Sequence, residues 1–112
     1  MMRPVLNRKM LLEAPVRVAD GAGGFVTTWQ VRGELWAELR PGTGREKAAE
    51  LMTVATVPYR IIVRAAPPGA PSRPEPEQRF RSGSRIFRIL AVTEADPGAR
   101  YLVCFAQEEV SQ

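Results

Sequence analysis

Histidine is absent from this chain, and cysteine occurs once, at Cys104. Without histidine, Ser–His and Cys–His nucleophilic catalysis are excluded, because nothing can serve as the imidazole base. The common zinc ligand sets are missing for the same reason. One cysteine makes no internal disulfide, so nothing argues for an oxidising compartment. No apolar run approaches the roughly 20 residues of a membrane span. The first residues, MMRPVLNRKMLLEAP, carry no apolar core of a signal peptide. The chain is therefore expected to be made, and to fold, in a cytoplasm and off the membrane. Lysine is scarce, present only at Lys9 and Lys47.

Arginine supplies nearly all of the positive charge. The 112 residues carry a net charge of +4 and a computed pI of about 10.0. Arginine binds phosphate or carboxylate with two parallel hydrogen bonds, so nucleic acid and acidic protein surfaces are both open as partners. A GC-rich genome also favours arginine codons. The basic residues alternate with acidic ones (Arg32/Glu34, Glu38/Arg40, Arg45/Glu46/Lys47), as on a solvated mixed surface.

The length fits one domain with one modest core. Ten prolines and nine glycines favour turns over a helical bundle. Residues 1–8 read as a loose arm, since Pro4 and Asn7 discourage regular structure. From Lys9 to Val18 the residues alternate as a strand does, with an edge or bulge at Pro15. Asp20-Gly21 and Gly23-Gly24 mark a turn. Phe25 to Arg40 is a long strand in which Phe25, Thr27 and Trp29 share a face. Gly33 marks a bulge, beyond which Leu35, Ala37 and Leu39 alternate with Trp36 and Glu38. Pro58 to Ala65 is a strand with Tyr59, Ile61 and Val63 on one face. Residues 65–78, with five prolines, read as an exposed, semi-extended surface connection. Ser82-Gly83 turns a hairpin within Arg79–Glu94, and Tyr101 to Ala106 closes the chain before a polar tail, 107–112. Five to six short strands without a long helix predict an all-β fold, a small antiparallel β-barrel or sandwich over residues 9–106.

Residues 41–57 stand out. Connections in compact domains run to about 4–6 residues, and much longer ones tend to be functional. Here Thr43 and Glu46 have capping-box spacing, REKAAELM favours a short helix, and TVATV favours extended chain. Glu46 and Glu50 have helical i,i+4 spacing and read as a solvated helix face rather than a catalytic pair. No catalytic set emerges, and no enzyme activity or cofactor is expected.

The order of features resembles the phage head–tail joining proteins, also called head-closure or stopper proteins, of long-tailed phages and phage-like gene transfer particles. The marks are Leu11-Leu12-Glu13, Asp20-Gly21 and Gly23-Gly24, Trp29, Trp36-Ala37, and Gly44 with Glu46. They continue through Tyr59-Arg60 and Arg64, Arg79-Phe80, Phe87-Arg88-Ile89, and the closing Leu102, Cys104 and Glu108. The proline-rich 65–78 stretch is longer than the resemblance leads one to expect. The resemblance implies a hexameric ring between a portal-bound adaptor protein and the tail terminator or tail tube proteins. Such a ring is a part of the virion, assembled in the bacterial cytoplasm, that retains packaged double-stranded DNA and lets it pass. It implies a barrel wall and a channel-facing loop, here 41–57. In that loop Arg40, Thr43, Arg45, Glu46, Lys47 and Glu50 are the candidates, with Arg40, Arg45 and Lys47 suited to sequence-independent phosphate contact. Trp29, Trp36, Tyr59, Arg60 and Arg64 are candidates for the contacts between subunits, where arginine and aromatic anchors usually dominate. Two other readings stay open: a free-standing SH3- or OB-like nucleic-acid-binding module, and a different connector ring such as a tail terminator, which carries helices packed on its sheet.

Overall fold

A computed structural model of the chain describes residues 3–42 and 56–109. Six strands make up the fold: β1 Arg8–Ala19, β2 Phe25–Pro41, β3 Thr56–Arg64, β4 Arg79–Ser82, β5 Arg85–Glu94 and β6 Tyr101–Glu109. All neighbours are antiparallel, and the order β1-β2-β3-β6-β5-β4 closes on itself. Two three-stranded meanders, β1–β3 and β4–β6, are thus joined along β3–β6 and by the short β1–β4 seam at Leu11–Glu13. The expected small antiparallel barrel is what forms.

Strand alternation supplies the core. Met10, Leu12, Ala37, Ile61, Val63, Phe80, Phe87, Ile89, Leu102, Cys104 and Ala106 point inward and are buried. Burial pushes the Cys104 thiol up to about 12, so it behaves as a small apolar side chain. Two bulges keep this inward set continuous. One lies opposite Leu12/Glu13, where Leu12 pairs with Gly33 and Glu13 with Val31, leaving Arg32 as the extra residue. Before it the odd positions of β2 face outward; after it Leu35, Ala37 and Leu39 face inward. Gly33 therefore sits at the face change, as its sequence context predicts. A Cβ on it would come within 3.3 Å of Ser72 Cβ, so the crossing connection packs directly on the bulge. The second bulge falls at Leu90, between Ile89 and Ala91, and returns Val92 to the core. In β1 the irregularity is at Leu12/Glu13; Pro15 pairs in register with Trp29 and has no strand on its other side among the described residues, so it is the expected edge position rather than a bulge.

The β1–β2 turn forms as its residues dictate. Asp20 Oδ1 accepts the amides of Ala22 (2.7 Å) and Gly24 (3.0 Å). Those two bonds hold its carboxyl below the usual range. Gly21 and Gly23 take φ of 82° and 88°, open to glycine at little cost.

Three stretches differ from expectation. The 65–78 connection lies at the surface, with Pro67, Pro68, Gly69, Pro71 and Glu75 to Glu77 exposed, but it is not semi-extended. It is folded into successive turns, with Ala70 N–H on Pro67 C=O and Arg73 N–H on Ala70 C=O. Pro74 and Gln78 are buried, and Arg73 donates to Ala66 C=O at 2.7 Å. Proline spacing alone suggests extension, but here tertiary contact with the barrel end folds the stretch. The tail read from residue 107 is still strand, because Thr56, Val57 and Pro58 pair with Glu109, Glu108 and Gln107. The arm lies partly on its own barrel, where Val5 N–H donates to Glu38.

Candidate functional site

The barrel has two chemically different ends and a patterned outer wall. At one end β2 finishes at Pro41 and β3 begins at Thr56, so the connection leaving from there is 42–55, shorter at both ends than the expected 41–57. Arg85, Tyr59 and Glu108 point inward and close this mouth. Arg85 grips Glu108 through Nε (2.7 Å) and Nη2 (3.0 Å), and Nη2 also reaches the Tyr59 hydroxyl at 3.4 Å. The Arg85 bond is the main cause holding the Glu108 carboxyl below its ordinary range. Underneath, Tyr59 meets Phe87 edge to face at 5.4 Å.

At the base of the β1–β2 ribbon sits a second cluster. Glu13 faces outward yet is only 3% exposed. Its two oxygens accept from Arg79 Nε (2.7 Å) and Arg81 Nη2 (2.9 Å). The Arg79 guanidinium in turn lies 3.9 Å from the Trp29 ring centroid. Stacking of this kind contributes about 0.5–2 kcal/mol, more when desolvated. The order acid–arginine–tryptophan ties the ribbon to β4.

Across the wall, register aligns side chains in rows. Lys9 lies opposite Trp36, and Arg64 opposite Tyr101. Continuing the β2–β3 register puts Trp36 beside Arg64. The row alternates cation and aromatic: Lys9 Nζ is 5.6 Å from the Trp36 ring, and Arg64 is 5.5 Å from that of Tyr101. A second row holds Glu38, Ile62 and Val103, and a third holds Arg40, Arg60 and Phe105. Trp36 is 54% exposed in this wall, and Leu90 and Phe105 are exposed near Arg60.

The structure scatters the predicted residues over these places. Trp36, Arg60 and Arg64 share the outer wall. Trp29 is half-buried under Arg79, and Tyr59 lies in the mouth. Arg40 is on the wall, with its guanidinium paired to Glu38. Burial pushes the Glu38 carboxyl up, but the Val5 amide and Arg40 more than offset this and hold it low. Thr43, Arg45, Glu46, Lys47 and Glu50 lie outside the described residues. The Glu13–Arg79–Arg81 and Arg85–Glu108 clusters have no counterpart in the sequence reading. The signal for the first is an acid inside the apolar run MLLEAPV, set where strand parity breaks.

Known proteins align with the chain from end to end. The family model of the phage head completion protein matches residues 1–109. A chain in the solved virion of a native gene transfer agent particle is 61% identical, with a TM-score of 0.80, covering 98% of this chain and 100% of that one. A solution structure of a Shigella flexneri 2a protein shares the fold at 18% identity, with a TM-score of 0.69 and full coverage of both chains. No curated protein matches. This protein belongs to the phage head completion protein family, whose members are structural components of the virion and not enzymes.

Proposed function

We propose that the protein is the head–tail joining, or stopper, subunit of a phage or phage-like particle. Copies form a ring, six-fold, between the portal-bound adaptor and the tail terminator or tail tube proteins. The ring retains packaged DNA and admits it to the tail on ejection. The observation that carries this reading is the 61% identity, over 98% of the chain, to a component of a gene transfer agent virion. The architecture supports it. Where the six strands close on one another they leave no edge to extend, which suits the wall of a ring; among the described residues only the β1–β2 ribbon beyond them keeps free edges. The connection expected at 41–57 leaves one end of that wall, and in this proposal it reaches into the channel. In this proposal Arg40, Arg45 and Lys47 meet phosphates without reading sequence, while Thr43, Glu46 and Glu50 complete the loop. Trp36, Arg60 and Arg64 on the wall, Trp29 under Arg79 and Tyr59 in the mouth are the proposed ring contacts.

Deleting residues 43–55 tests the gate role. The expected outcome is a folded barrel and particles that leak DNA or fail to join tails. Full DNA retention and transfer by the deletion mutant would refute it. The net charge of +4 leaves a second reading, a free-standing nucleic-acid-binding module. That reading requires salt-sensitive, micromolar or tighter binding of short DNA by the isolated monomer.

A further inference from the structure

Among the described residues, β2 has an open edge from Phe25 to Val31. On its other side β1 pairs along this whole stretch, whereas β3 joins only at Ala37–Pro41. β1 in turn meets β4 only at Leu11–Glu13. The ribbon formed by residues 14–19 and 25–31 therefore extends past the closed strands with two edges unpaired among the described residues, and is held on one face by Trp29 under Arg79. The Asp20 N–H donates to Gly24 C=O at 3.1 Å, which makes the even-numbered pairs the hydrogen-bonded ones across the ribbon. Odd-numbered residues thus turn their backbone groups outward. On the β1 edge the first of these is Pro15, which has no N–H, and the next is the charged Arg17. Proline and charge are the usual guards of an exposed edge. On the β2 edge the outward groups belong to Phe25, Thr27, Trp29 and Val31. That stretch, FVTTWQV, contains no charge, proline or glycine, and all but Trp29 of it is exposed. An unguarded edge of this composition is a template for another strand.

We propose that in the free protein this edge is taken by the same edge of a second copy, two β2 strands pairing antiparallel about a two-fold axis at Thr28. The stretch is self-complementary in the register its geometry requires. Outward groups lie at odd positions, so odd must face odd. Pairing Phe25 with Val31 and Thr27 with Trp29 satisfies this and uses the whole edge. Each pair sets an aromatic residue against a β-branched one, a favourable cross-strand combination. No like charges meet, since Arg32 falls opposite Gly24. Two ribbons, each marginal alone, become a four-stranded sheet. The exposed Val16, Val18 and Val26 of both copies then share one face of it. A two-fold contact closes on itself, so this dimer is distinct from the proposed ring and holds the edge before a subunit joins a particle.

Sedimentation of the full chain across the micromolar range tests the dimer. Wild type is expected to show a monomer–dimer equilibrium. Thr27→Pro, which guards β2 as Pro15 guards β1, is expected to shift it at least about tenfold toward monomer with little change in thermal stability. Thr28→Cys places two thiols across the axis in a pair that is not hydrogen-bonded, where Cα atoms stand about 4.5 Å apart. It is expected to yield a disulfide-linked dimer on mild oxidation, while Arg17→Cys on the opposite edge does not; the buried Cys104 does not compete. A wild type that stays monomeric overturns the proposal. So does a Thr27→Pro chain that dimerises as wild type does, or crosslinking through Arg17→Cys instead of Thr28→Cys. An edge taken only by another particle protein overturns it as well.

Discussion

Glu13 is a carboxylate in the wall of a small barrel, shielded from water and gripped by two arginines. Removing its charge leaves Arg79 and Arg81 facing each other without a partner. Arg81 is 40% exposed on its side chain and regains some solvation, which lessens the loss. Glu13→Gln is expected to cost about 1–3 kcal/mol in urea unfolding. It should also free Arg79 from its place over Trp29, read as a change in tryptophan emission. Glu108 makes a prediction about pH. Its folded carboxyl is held below the ordinary value of 4.5, chiefly by Arg85. The stability this adds is fully present above that value and is lost as pH falls through the depressed one. Both side chains keep some exposure, 37% for Arg85 and 18% for Glu108, so solvent screening limits the effect to about 1 kcal/mol. Glu108→Gln should therefore be less stable than wild type at neutral pH and converge with it in acid. Unfolding curves from pH 7 downward check this; a constant difference would contradict it.

Among the elements, the six strands were legible because alternation with a glycine- or proline-marked break is a local signal. Phe25 to Arg40 even announced its change of face at Gly33. What was not legible depended on neighbours distant in sequence. Proline content made 65–78 look extended, yet burial of Pro74 and Gln78 and the contact of Ser72 with Gly33 fold it into turns. The acid pair Glu108-Glu109 looked like a polar tail, yet its pairing with Thr56 and Val57 continues β6. The sequence also did not bring Arg79 to Glu13 or Arg85 to Glu108, since those partners are sixty-six and twenty-three positions apart. Trp36 and Arg64 were legible as contact candidates but not as neighbours; register puts them in one row. Trp29 and Tyr59 have intramolecular partners that alternation could not supply.

At the scale of the whole molecule, the long β3–β6 pairing and the short β1–β4 seam join the two meanders into a barrel, and its two ends differ chemically. One end carries the turns of 65–78 and the projecting ribbon, and the molecule extends over 53 × 36 × 23 Å. The other is closed by Arg85, Glu108 and Tyr59 and gives rise to the 42–55 connection. In the proposed ring, the barrel is the wall and the connection is the segment facing the axis. An image of the assembled particle, at a resolution that counts symmetry, tests this most directly. The account predicts six copies in one ring at the head–tail junction, with residues 41–57 directed toward the channel and the Trp36–Arg64 wall in contact with neighbours. Copies found in the capsid shell or along the tail, or a ring whose 41–57 segments point away from the axis, would contradict it.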